Sequence, residues 1–208
     1  MLTNLDAVSV REKTGVEICE QVGIRAQNVC DPTLLLSAGR YDQLIEDSLR
    51  GGVFIYNINI HKSDDIFFKE LKAMADRRHI PVNVCMGGGY ELSTEFFGDD
   101  VNYCYGTMSQ FLGGIKNAQL VVACSFHCVV FAIIFHKQFV YVPIKGRHGK
   151  SNNRAIDLLN RLKLDGRIFD ETNSYDYYLE TPTNYERADS FLSEWRKESK
   201  AFLIDNLK

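Results

Sequence analysis

The residues best suited to chemistry are Cys124-Ser125-Phe126-His127-Cys128, a short polar interruption in the apolar stretch QLVVACSFHCVVFAIIFHKQFVYVP, Gln119 to Pro143. Three chemistries can be drawn from them. As a metal site, C-x-x-H-C supplies three ligands where structural zinc takes four, no second cluster completes it, and both flanks are apolar. The thiols read better as small buried hydrophobes. As a nucleophile, Ser125 lacks the G-x-S-x-G elbow. A Cys128–His127 dyad is not expected either, because helical neighbours point about 100° apart. As an anion cradle, Ser125 stands where a helix N-cap belongs, and the N–H groups of Phe126, His127 and Cys128 point out of the first turn. Such an end binds phosphate or carboxylate, and a histidine beside it can donate a hydrogen bond or a proton. The plain alternative is that Ser125 only caps the helix and His127 is a boundary histidine. The residues alone leave both readings open.

Three further groups have the right chemistry. Arg11-Glu12 follows a short apolar run and reads as a surface ion pair or an anion contact. Gly87-Gly88-Gly89 follows a strand, fits neither G-x-G-x-x-G nor a P-loop, and reads as a mobile loop. Arg147-His148-Gly149-Lys150, with Arg154, is a basic cluster in a chain of formal charge −3. It is either a solvated face or a ligand contact.

These positions matter because of the elements around them. Ala7 to Val10 reads as a strand. A helix follows over Thr14 to Gln21, with Val16, Ile18 and Cys19 facing inward. Asn28 to Cys30 is a second short strand, and Tyr41 to Leu49 is weakly helical. Gly52 to Ile60 alternates and is β-rich. Asp64 to His79 is an amphipathic helix, acidic at its start and basic at its end. Strands are expected at Pro81 to Met86, Val101 to Tyr105, Gln119 to Cys124 and Phe139 to Val142. Helices are expected at Met108 to Ala118, His127 to His136, Arg154 to Leu164 and Tyr185 to Lys208. Repeated strand–helix–strand units with continuous apolar strands indicate an α/β fold, a Rossmann-like parallel sheet flanked by helices, in a single domain over 1–208. Such a sheet binds ligands beyond the carboxyl ends of its strands, near helix N-termini. Arg11-Glu12, Gly87 to Gly89 and Ser125 to Cys128 all fall at such ends.

Composition narrows the function classes. Apolar residues make up 45% and charged residues 25%, ordinary for a globular protein. The slight negative charge speaks against a general nucleic-acid binder. Phe126 to Phe135, the most hydrophobic run, is too short to span a bilayer, which takes about 20 residues. MLTNLDAVSVREK has no signal-peptide character. The six cysteines are scattered and read as reduced, cytoplasmic thiols.

Four strings then become recognisable together: SVREKTGVEICEQVGI, DPTLLL, FLGGIKNAQLVVACSFHCVVFAIIFHKQF and NNRAIDLLNRLKLDGRIF. In this order, from about Val8 to Phe169, they resemble the carboxyl-terminal half of the polysaccharide pyruvyl transferase family. The resemblance implies the second Rossmann-like domain of a GT-B-type transferase, whose amino-terminal partner domain would come from elsewhere. It also implies transfer of pyruvate from phosphoenolpyruvate to a sugar or lipid-linked oligosaccharide as a ketal, in bacterial surface-polysaccharide assembly. That chemistry uses no metal or redox cofactor. It would take place in the cytoplasm, with peripheral contact at the inner membrane face.

By the same resemblance, His127 would contact the phosphate and act as the acid, and Arg11 would hold the carboxylate or phosphate. Arg154 would add positive charge. Ser125 replaces an arginine found in one branch of the family, a contact that Arg147 or Lys150 would supply instead. Cys128 and Val129 stand where another branch has glycine and threonine, which implies a narrower cradle or the loss of a donor. A nucleotide-sugar glycosyltransferase of the same fold and a non-catalytic half-domain that needs a partner chain are the rival readings.

Overall fold

Val53-Phe54-Ile55-Tyr56-Asn57 shows how the sheet is covered: Val53 and Ile55 enter one hydrophobic core, and Phe54 enters another. A strand buried on both faces is mostly apolar, as central parallel strands are. Leu120–Ala123 is wholly so, while Val82–Met86 keeps one buried polar residue, Asn83, whose amide donates to the Gly51 and Val53 carbonyls at 3.0 and 3.3 Å. The protein is described by a computed structural model at residues 5–45, 51–58, 60, 62–87, 97–145, 149 and 151–207.

The chain opens with β1 (Val8–Val10), α1 (Lys13–Gln21) and β2 (Ala26–Asn28). A 3₁₀ turn over Pro32–Leu35 and the short α2 (Ala38–Asp42) follow. The main fold consists of β3 (Val53–Asn57), α3 (Phe68–Arg77), β4 (Val82–Met86), β5 (Asn102–Cys104) and α4 (Met108–Asn117), then β6 (Leu120–Ala123), α5 (Phe126–Ile134) and β7 (Phe139–Tyr141). α6 (Asn153–Arg161), α7 (Tyr175–Glu180) and the long α8 (Tyr185–Asn206) complete it. β3 to β7 form one five-stranded sheet in the order β5-β4-β3-β6-β7, with every pairing parallel. The order reverses between β3 and β6. This is the doubly wound, Rossmann-like arrangement, which binds ligands beyond the carboxyl ends of its strands at that reversal. α4, α5, α6 and α8 cover one face, and α3 and α7 cover the other.

Several expectations are corrected. β1 and β2 do not join the main sheet but pair only with each other, Val8 opposite Ala26 and Val10 opposite Asn28. β2 ends at Asn28, so Cys30 is a core residue whose N–H donates to Ser199 Oγ at 2.9 Å. Ile18 does not face inward; it is 61% exposed. The helix expected from Asp64 to His79 is broken at Phe67, whose φ is 50°. A 3₁₀ turn over Ser63–Ile66 precedes the break and α3 follows it. The break lets Ile66 and Phe68 both enter the core, and Phe67 stacks on Phe169 with ring centres 5.0 Å apart. α2 stops at Asp42, and 46–49 of the expected segment lie outside the described residues. Among the described residues, no helix is long and apolar enough to cross a membrane.

Candidate functional site

β6 is apolar to its last residue, and the chain then turns outward at Ser125, which has extended backbone angles. Its hydroxyl accepts from the N–H of Cys128 at 3.2 Å, so Ser125 caps α5 as its type and position imply. The cap holds the first turn of α5 at the carboxyl edge of the sheet, beside the reversal of strand order. His127, 48% exposed on its side chain, projects from this turn.

β1 and α6 bring two arginines to the same place. The Arg11 guanidinium lies 5.2 Å and that of Arg154 5.7 Å from the centre of the Phe126 ring, so one aromatic side chain supports both cations. Glu12 ties them together, with Oε1 3.6 Å from Arg11 Nε and 3.7 Å from Arg154 Nε. Arg154 is positioned by Asn152, a buried residue two places earlier. The Asn152 amide accepts from Tyr141 Oη and from Ile144 N–H and donates to the Ile144 carbonyl, at 2.8, 3.0 and 2.8 Å. These bonds close the segment between β7 and α6.

The centre of the cluster is Asp31, only 3% exposed. Arg11 Nη1 donates to its Oδ2 at 2.8 Å, and the Thr33 N–H and hydroxyl donate to its Oδ1 at 3.0 and 2.7 Å. His127 Nε2 stands 3.7 Å from Oδ2. Burial disfavours the Asp31 charge, but His127, Thr33 and Arg11 outweigh it and hold the carboxyl well below the usual carboxylate range. Asp31 thus anchors Arg11 and orients His127. It stands in the DPTLLL string, where aspartate before proline signals a turn; nothing in that pattern marks it as a partner of residues about a hundred positions away.

A cleft of about 560 Å³ opens at this edge. Tyr41, Tyr56, Phe111 and Phe131 give it an aromatic floor, and Ser125, His127 and Arg154 belong to its polar side. Gly106 lines it with φ 57°, and a Cβ there would sit 2.4 Å from the Met86 carbonyl, so only glycine brings this segment against the end of β4. Cys124 also reaches the cleft, but burial pushes its thiol up to about 12. Cys128 is fully buried, and burial raises its thiol well above the ordinary value. At both positions burial favours the neutral thiol over the nucleophilic thiolate. Cys128 and Val129 both point into the core, so their side chains do not narrow the cradle.

Arg11, Ser125, His127 and Arg154, separated widely in sequence, are therefore neighbours. Arg147 and Lys150, and Gly88 and Gly89 of the glycine triplet, lie outside the described residues. The arrangement offers helix N–H groups, an orientable imidazole and the Arg154 guanidinium over an apolar floor, with the Arg11 guanidinium beside them against Phe126, which is the chemistry of an anionic small molecule.

The family model described as polysaccharide pyruvyl transferase matches residues 1–146. A search of curated proteins matches none to this chain. Among solved structures, the chain is similar to a mutant O-GlcNAc transferase of Thermobaculum terrenum at 11% identity and TM-score 0.48, covering 85% of this chain and 37% of that one. It is similar to the spinosyn rhamnosyltransferase SpnG at 11% identity and TM-score 0.49, covering 92% and 60%. It is also similar to a UDP-GlcNAc 2-epimerase of Methanocaldococcus jannaschii at 10% identity and TM-score 0.35, covering 87% and 50%. The chain spans between 37% and 60% of the length of these structures. With its family model matched over most of its length, this chain belongs to the polysaccharide pyruvyl transferase family.

Proposed function

We propose that the chain takes part in transferring pyruvate from phosphoenolpyruvate to a pair of sugar hydroxyls as a ketal, in bacterial surface or exopolysaccharide assembly. The observation that carries this reading is the convergence of Arg11, His127 and Arg154 on the first turn of α5. Phosphoenolpyruvate bears a phosphate and a carboxylate, which match helix N–H groups and guanidiniums. A proton delivered to its methylene carbon leaves positive charge at C2. One sugar hydroxyl adds there and a second displaces phosphate, closing the ketal. In this reading His127 contacts the phosphate and supplies the proton, Asp31 orients the imidazole, and Arg11 and Arg154 hold the anionic groups. Arg147 and Lys150, outside the described residues, add positive charge in this reading. The chemistry balances without a metal or redox cofactor. The acceptor is a sugar or lipid-linked oligosaccharide, reached in the cytoplasm at the inner membrane face.

Phosphorus NMR titration tests the donor. Saturable phosphoenolpyruvate binding is expected, weakened about tenfold or more by His127→Ala or Arg154→Ala, the effect of removing a charged hydrogen-bond partner. Binding unchanged in the double variant would overturn the assignment, and competition by a nucleoside diphosphate alone would favour a nucleotide-sugar transferase. One observation also favours completion by a second Rossmann half, in the same polypeptide or a partner chain. The two-stranded β1–β2 sheet has no further strand among the described residues, although parallel sheets are normally larger and covered.

A further inference from the structure

A second cleft, of about 750 Å³, opens between α1, β2 and α6 and has the Trp195 side chain in its wall. Its size suits a small-molecule site. Three cations line it, Arg11, Lys13 and Arg161, against three carboxylates, Glu17, Glu20 and Asp157. That balance favours a neutral ligand over an anion or a cation.

Two atoms set this cleft apart from an ordinary surface crevice. Asp157 Oδ2 and Trp195 Nε1 are both shielded from solvent, and neither has a hydrogen-bond partner among the described residues. Trp195 as a whole is only 4% exposed. Buried polar atoms are rarely left unpaired, and leaving them so is costly. Here one is an acceptor and the other a donor, and a hydroxyl group can serve either.

The cover over the indole is the Arg161 guanidinium, 4.1 Å from the ring centre. Its side chain is 39% exposed and is held by Asn28 at 3.1 Å and Glu198 at 3.3 Å. A ligand stacking on the indole would take the place of this guanidinium. A sugar ring presents a C–H face and a rim of hydroxyls, which complement that surface.

We propose that this cleft binds a neutral sugar residue, with Asp157 accepting from one hydroxyl and Trp195 donating to another. The inference deepens the transferase reading and rests on it for the identity of the sugar as part of the acceptor. Arg11 connects the two places, since it lines this cleft and also pairs with Asp31 beside His127.

Trp195 is the single tryptophan of the chain, so its emission reports on this cleft alone. Titration with lactose, cellobiose or maltose is expected to change that emission saturably for at least one sugar. Asp157→Asn should weaken the response about tenfold. If that variant does not fold, Trp195→Phe followed by saturation-transfer NMR on the sugar should show a comparable loss. A response to inorganic phosphate but to no sugar overturns the proposal, as do sugar binding unchanged in both variants and no saturable response at all. Phosphoenolpyruvate is titrated on the same samples by phosphorus NMR. Donor binding that depends on His127, with no sugar response, keeps the transferase reading and sinks this one. A sugar response without donor binding supports the cleft as a sugar site and overturns the donor assignment.

Discussion

Asp31 accepts from three donors while nearly excluded from water, and that single carboxylate explains why Arg11 and His127 stand where they do. Replacing it by asparagine keeps the shape but removes the charge that Arg11 and His127 face. The expected cost is about 1–3 kcal/mol of stability, read from urea unfolding, because the surrounding donors lose their ionic acceptor. Phosphoenolpyruvate binding should weaken in the same variant, since His127 would lose the carboxylate that orients it beside the cleft and Arg11 its anchor. An Asp31→Asn protein with unaltered stability and donor affinity would show that the cluster is ornamental. Arg167 offers a contrast away from the site. It is 5% exposed, donates to the Tyr178 carbonyl at 2.8 Å and to Gln138 at 3.1 Å, and also reaches the Thr181 carbonyl. Its role is to fasten the segment after α7 to the sheet, and burial lowers its pKa from the usual arginine value.

Among the elements, α5 has two parts: its first turn is the proposed cradle and its remainder is core. Ser125→Ala removes the cap and should cost about 1 kcal/mol, with glycine at the same position costing less. The same variant should loosen the first turn, which hydrogen exchange at His127 and Cys128 would register as faster exchange. α4 packs against the sheet through Gly114, where a Cβ would fall 2.1 Å from the Phe54 ring. Phe54 is completely buried and has nowhere to move. Gly114→Ala is therefore expected to destabilise by about 1–3 kcal/mol through overpacking, seen as a lower denaturation midpoint. An unchanged midpoint would mean that α4 can shift away from the sheet.

For the molecule as a whole, α8 is the clasp. Ala188, Leu192 and Trp195 enter the core shared with α4, α5 and α6, and Ser199 accepts from Cys30 N–H while donating to the Trp195 carbonyl at 2.7 Å. Ser199→Ala should cost about 1–3 kcal/mol by leaving a buried N–H unpaired. Stability should also depend on pH at the acid end. The Asp31 carboxyl is depressed below its unfolded value of 3.8, so its contribution is fully present above about pH 4 and is lost as pH falls below that. Asp176, held low by Arg78 and Arg77 although burial works against it, adds in the same direction. Acid titration of the unfolding midpoint should show a steep limb below pH 4 that is shallower in Asp31→Asn.

The sequence by itself determined the main sheet and the cap. Runs such as Leu120–Ala123 admit no place but a doubly covered parallel strand, and a serine between that strand and an apolar helix admits little but an N-cap. The family strings supplied Arg11, His127 and Arg154 as site residues, and the fold brings those three together. The break at Phe67 was hidden because Asp64 to His79 keeps a helical pattern on both sides of it; only packing against Phe169 reveals why the backbone turns there. β1 and β2 read like any other short strands, since strand patterns state which residues are buried and not which sheet they join. The proposed roles of Asp31 and Trp195 were invisible in the sequence for the same reason. Their meaning lies in partners, or missing partners, brought beside them by residues far away in the chain. Local propensity and burial pattern are written in neighbouring residues, whereas electrostatic neighbourhoods exist only once the chain has folded.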